Sequence, residues 1–325
     1  LEKNVMLFRT VIPIAENSFP IDYHSRILSL GSCFAVNMAA QLDYYKFQHS
    51  CNPFGIIFNP VSIGKLIERA VNKDFFTEKD VFFHNDLWHS FEVHSELSNP
   101  DKATFLKLLN ELVVATNNQI TKSTHFLITY GTSWVYRHIE SEQIVANCHK
   151  VPQKQFLKEL LSVEVIQNSI LNTIALIQKV NPNVKFIFTV SPVRHIKDGF
   201  VENTLSKAHL ISAIRQVLED STIYNLKSSI YFPSYEIMMD ELRDYRFYAE
   251  DMLHPNQVAI DYIWQRFKET TVSKSALPVL EEIGSIQSGL NHRPFNPESE
   301  SHLKFVAKLQ AKIALLQTQF SHIQF

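Results

Sequence analysis

Short apolar runs alternate with longer segments of helical periodicity along most of the chain, and this rhythm constrains the fold more than any other feature. Ile27–Leu30 reads as a strand, followed by a helix over Ala35–Tyr45. Phe47–Cys51 reads as a second strand and Pro60–Val71 as a helix with proline in its first turn. Asp101–Ile120 carries Leu106, Leu109, Leu112 and Val113 at helical spacing, ahead of a central strand at His125–Tyr130. Gln153–Val180 reads as one long helix closed by Asn181-Pro182. A strand at Val184–Val190, a helix at Leu205–Leu218, a last strand at Ser229–Phe232 and a helix at Asn256–Phe267 complete the series. Strands alternating with helices predict a mostly parallel sheet covered on both faces. Two stretches break the rhythm and read as hairpin inserts. One is 81–94, where Asn85-Asp86 sits between alternating aromatics; the other pairs Trp134–Ile139 with Gln143–Cys148.

The first strand runs into Gly31-Ser32-Cys33-Phe34-Ala35, and far along the chain stands Asp251-Met252-Leu253-His254-Pro255. A hydroxyl or thiol is a weak nucleophile until a histidine takes its proton, and that histidine needs a carboxylate to fix its tautomer. A small nucleophilic residue after a strand and an Asp-x-x-His before a helix are therefore two halves of an acyl-transfer site. In open α/β sheets ligands bind beyond the carboxyl ends of the strands, where Cys33, Gly131, His195 and the Asp251–His254 segment all fall.

These residues resemble the SGNH, or GDSL-like, hydrolase superfamily, and within it the GSCFA family, whose name is the pentapeptide at 31–35. The resemblance spans roughly residues 25 to 272 and implies a three-layer α/β/α, flavodoxin-like sandwich with a five-stranded sheet. It implies Cys33 as nucleophile, with Ser32 as the rival, His254 as base and Asp251 as its orienting acid. It also implies an oxyanion hole built on the N–H of Cys33 and of Gly55, in Asn52-Pro53-Phe54-Gly55. Gly131-Thr132-Ser133-Trp134 stands where the superfamily has Gly-x-Asn-Asp, so Ser133 replaces the oxyanion-hole amide. Asn147 is a candidate to replace that amide. Asn52, Thr132, His149, Arg194 and His195 are candidate substrate contacts, with Arg194 or His195 suited to a carboxylate, phosphate or sugar hydroxyl. The activity implied is ester hydrolysis through an acyl-enzyme, on an acylated carbohydrate or small metabolite. An O-acyltransferase using the same site and a non-catalytic ligand-binding module are the alternatives.

Composition narrows the remaining choices. Lysine plus arginine (31) nearly balances aspartate plus glutamate (33), so there is no electrostatic footprint for nucleic acid. No run approaches the ~18–20 apolar residues of a membrane span. Leu1–Met6 lacks a signal-peptide core, and three scattered cysteines suggest a reducing, cytoplasmic setting. The 14 histidines form none of the metal-binding spacings, and no phosphate-binding glycine loop occurs, so no metal and no cofactor are expected. Residues 1–274 are expected to form the hydrolase-like domain and 275–325 a helical extension after the Asn291–Pro297 linker. In that extension Leu303, Val306, Leu309, Ile313, Leu316 and Phe320 make one helical stripe, suited to packing on its own domain or to forming a homodimer.

Overall fold

The computed structural model describes residues 9–219 and 228–325, so the segment Leu1–Met6 lies outside the described residues. Five strands make the main sheet: β1 (Arg26–Gly31), β2 (Gln48–Cys51), β5 (His125–Tyr130), β9 (Lys185–Val190) and β10 (Ser229–Tyr231). Their order is β10-β9-β5-β1-β2, and every pairing is parallel. The chain thus starts near the middle, steps outward to β2, and returns across β1 to build the other half. Such an order leaves a crevice at the carboxyl ends of β1 and β5, where the chain departs in opposite directions.

Strand side chains alternate between two buried faces, as parallel strands covered on both sides require. Leu28, Leu30, Phe126, Ile128, Phe186 and Phe188 share one core with α2 (Pro60–Asn72), α3 (Lys102–Lys122), α4 (Val163–Val180) and α5 (Phe200–Glu219). Ile27, Leu127 and Ile187 point the other way, into a core with α1 (Cys33–Tyr44), α7 (Gln257–Thr271), α8 (Leu277–Leu290) and α9 (Glu300–Gln319). The expected three-layer α/β/α architecture with a helical C-terminal part is therefore the observed one. Side-chain caps fix where the helices begin: Asn59, Asp101, Ser162 and Asn256 each accept an N–H from the first turn of the helix that follows.

The first insert is the hairpin β3 (Phe82–His84) and β4 (Leu87–His89), turned by Asn85 and Asp86 at φ of 46° and 62°. The second is richer than its pattern suggested. β6 (Trp134–His138) pairs with β7 (Ile144–Val145) and also, on its other edge, with β8 (Phe156–Leu160). The expected helix over Gln153–Val180 is thus corrected to a strand followed by α4 from Val163. Phe156, Leu157, Leu160 and Leu161 have a spacing that suits a helix, but pairing with β6 outweighs it. Glu159 closes the sheet on Arg137 with two hydrogen bonds of 2.8 and 3.0 Å.

The C-terminal stripe packs on the chain itself at its centre. Leu309, Ile313 and Leu316 are buried in the second core, whereas Leu303, Phe305 and Leu315 stay exposed. Among the described residues no helix is long and apolar enough to cross a membrane.

Candidate active site

The site begins with Gly31, which ends β1 at a φ of +133°. A Cβ there would lie 2.0 Å from the carbonyl oxygen of Thr129, so only glycine lets β1 lie this close to β5. Its N–H donates to Asn52 Oδ1 at 2.7 Å, and its carbonyl accepts from Ile57 N–H at 3.1 Å. Ser32 is fully buried. Its N–H donates to Thr129 O, and its Oγ accepts from Phe34 N–H at 3.3 Å as the N-cap of α1. The hydroxyl is therefore occupied in starting the helix. Cys33 is the first residue of α1, half-buried, with a free thiol. Burial pushes that thiol up. The ammonium of Lys207 and the N–H groups of Phe34 and Cys33 pull it down, and Asp251 pushes it up again.

Asp251 and His254 lie on a loop just before α7. Tyr248 bridges to Pro255, and Ala249 N–H donates to His254 O at 2.7 Å, so the loop is tied across its base. Asp251 Oδ1 accepts the N–H groups of Leu253 and His254 at 2.9 and 3.0 Å, and Oδ2 faces His254 Nδ1 at 2.6 Å. The backbone N–H of His254, then that of Leu253, then the imidazole hold the Asp251 carboxyl down at about 2. A carboxylate on Nδ1 keeps the proton there and leaves Nε2 with its lone pair. Arg194 supports this loop. Its N–H donates to Leu253 O at 3.1 Å and its Nη1 to Met252 O at 3.2 Å, with the guanidinium boxed by Phe200, Tyr245 and Tyr248.

His195 packs edge-on against Phe58, with ring centroids 5.8 Å apart. Burial first, then Lys207, then His254 push it down to about 3, so it is a neutral wall of the site. Lys207 and Asp251 act on the Cys33 thiol, and Lys207 and His254 act on His195, so these groups lie near one another beyond the carboxyl ends of the strands.

Residues 26–267 match the GSCFA family, and residues 283–325 match the GSCFA domain protein, C-terminal domain. The chain belongs to the GSCFA family. No curated protein matches it in sequence. Among solved structures it is similar to a Parabacteroides merdae ATCC 43184 protein described as a GDSL-like lipase. That similarity has a TM-score of 0.38 at 12% identity and covers 79% of this chain and 99% of the other.

Other candidate residues of this GSCFA chain are engaged within the protein. Gly55, at a φ of +79°, donates its N–H to Asn52 O at 2.8 Å, and a Cβ on it would meet His94. Ser133 is fully buried and spends its hydroxyl on Ser206, at 3.0 Å from the carbonyl and 3.1 Å from Oγ. Thr132 Oγ1 lies 3.0 Å from the same Ser206 hydroxyl and accepts from Trp134 N–H. The 131–133 turn is in this way fastened to α5. Asn147 Oδ1 accepts from His149 N–H at 2.8 Å. His149 lies among Phe82, His89 and Phe91 in the insert, with Nε2 on Ser90 O at 2.7 Å and burial pushing it down to about 4. Asn52 keeps a buried Nδ2 with no partner among the described residues, beside a small cavity lined by Leu30, Phe54, Ile57 and Thr116.

Lys207 is the residue that sequence reading missed. It is fully buried in α5, and its Nζ donates to the carbonyls of Gly131 at 2.6 Å and Ser191 at 2.8 Å. The signal was present: Asn203, Ser206, Lys207, Leu210, Ile214 and Val217 form one helical stripe, which puts a lysine on the face turned to the core.

Proposed function

We propose that this GSCFA protein is an acyl ester hydrolase of SGNH type working through a covalent acyl-enzyme on Cys33. His254 Nε2 takes the proton of the Cys33 thiol, and Asp251 stabilises the imidazolium that results. The sulfur forms a bond to the ester carbonyl carbon. The carbonyl oxygen, now negative, is met by the Cys33 N–H at the open N-terminus of α1, where the helix dipole also favours it. His254 returns the proton to the alkoxide as the alcohol leaves, giving a thioester. Water then adds with His254 as base, and the acid departs as the thiol is restored. A sugar hydroxyl in place of water makes the same site an O-acyltransferase. The substrate class is an acylated carbohydrate or small metabolite.

The observation that carries this reading is the 2.6 Å contact of Asp251 with His254, in a loop whose carboxylate also acts on the Cys33 thiol. The test is turnover of a small aryl ester. Cys33→Ala should abolish it and Cys33→Ser should keep a fraction. Full turnover in Cys33→Ala would overturn the reading. The upward push of burial on the thiol favours a second reading, a ligand-binding module without turnover. A wild-type protein inert toward every ester, yet binding acylated sugars, would establish that one instead.

A further inference from the structure

Lys207 is a buried cation without a carboxylate. Its ammonium meets two backbone carbonyls, and no ion pair joins it to an acid among the described residues. Carbonyl dipoles offset part of the cost of burying a charge, but a lone ammonium in a core is expensive and a methionine would fill the same space without that cost. The position also matters. Lys207 grips the ends of β5 and β9 at once, through Gly131 and Ser191. Gly131 in turn lies against Ser32, so closely that a Cβ on it would stand 3.2 Å from that of Ser32. The charge is therefore held directly behind the strand-to-helix turn that presents Cys33.

We propose that Lys207 is the counter-charge of the Cys33 thiolate, a positioning residue that makes ionisation of the nucleophile possible in a half-buried site. The proposal rests on the reading of Cys33 as nucleophile and adds what that reading lacks. His254 accepts the proton from the S–H bond, the electron pair stays on sulfur, and the ammonium keeps its three N–H bonds while its field holds the thiolate.

The groups facing Lys207 fit this role. From α1 comes Cys33, and from the ends of β5 and β9 come only carbonyls. From the loop after β9 comes His195, neutral at working pH. From the short helix α6 (Ser234–Glu236) comes the ring of Tyr235, 5.8 Å from Nζ. Glu236 on the same short helix is met at both carboxylate oxygens by the Tyr231 hydroxyl, at 2.9 and 2.8 Å, and the ionisable group that acts on the ammonium is Cys33. Burial pulls Lys207 down to about 7 and Cys33 pushes it back up, while Lys207 is the strongest influence opposing the upward push of burial on the thiol. Such coupling is reciprocal: whatever one group does to the ionisation of the other is returned in equal measure.

The experiment is the pH profile of iodoacetamide alkylation at Cys33 in the full chain. Peptide mass spectrometry separates Cys33 from Cys51 and Cys148, and ester turnover is not needed. In Lys207→Met, with its melting transition retained, alkylation at pH ~6.5, where the ammonium is mostly charged, should slow by on the order of tenfold and the midpoint should move up by about one unit. Lys207→Gln, which keeps an N–H for one carbonyl, should behave likewise. A folded variant with the wild-type profile overturns the proposal. If neither variant folds, Cys33→Ala provides the test through the Lys207 13Cε resonance. Its inflection should fall by the same amount on loss of the thiol, and an unmoved inflection overturns the proposal. The nucleophile reading fails separately, by ester turnover that survives Cys33→Ala.

Discussion

Ser32 and Cys33 are neighbours with opposite duties. Ser32 closes the first turn of α1 with its hydroxyl, and Cys33 stands at the open end of that helix with its thiol free. Ser32→Ala should therefore cost about 1 kcal/mol of stability, as lost N-caps do, and leave ester turnover largely in place; a melting curve beside an activity assay checks both. His254→Ala should lower the rate by on the order of 10²-fold, with Asp251→Asn costing less, because the backbone N–H groups on Asp251 help hold the loop without help from its charge. If His254→Ala keeps its rate and His195→Ala does not, the base is misassigned. The strand-to-helix turn at Gly31–Cys33 and the contact of Asp251 with His254 were legible in the sequence because each sits in a short local pattern. Ser133 was not. Its expected oxyanion role came from its place after β5, but its hydroxyl is taken by Ser206 on a distant helix, and no local pattern records that partner. Lys207 escaped notice because lysine is ordinarily solvated, and only its register against Leu210 and Ile214 marks it as buried.

At the scale of elements, the β1–α1 turn is the most demanding joint. Gly31→Ala combines a left-handed φ with a Cβ placed 2.0 Å from a backbone oxygen, so β1 must move away from β5. We expect a loss of more than ~2 kcal/mol in denaturant unfolding, together with loss of alkylation selectivity at Cys33. A variant with wild-type stability would show that the turn tolerates a side chain. The helical extension makes a second case. Replacing Leu309 and Ile313 by Lys would put two charges into the core formed with α7 and α8, and the protein should melt earlier with no change in mass. An unchanged melting point with a change of mass would instead place the stripe between two copies of the chain. Most of the main strands were legible because short, nearly continuous apolar runs identify them one by one. β8 was not, because its apolar spacing suits a helix equally, and only the free edge of β6 decides between the two.

For the molecule as a whole, burial holds several histidines below their ordinary value, among them His89, His125, His149 and His195, and this sets how it responds to acid. His195 and His149 are pushed down to about 3 and about 4, from an ordinary value of 6.5. In that interval the unfolded chain takes up protons that the folded one refuses, so stability falls as pH drops below ~6.5 and is fully present above it. His149→Gln should make the fall in melting temperature between pH 7 and pH 4.5 shallower than in wild type; an equal fall would show that His149 does not carry it. The two halves of the site come from opposite ends of the sheet's wiring, α1 after the first strand and the loop before α7 after the last, and the parallel order brings them to one edge. The account therefore stands on the chemistry at that edge, and the most direct measurement is the mass of the protein trapped during turnover of an aryl ester. We predict one acyl group on the peptide bearing Cys33, absent in Cys33→Ala and slow to form in His254→Ala. Sustained turnover with no acyl group on Cys33, undiminished in Cys33→Ala, would contradict it.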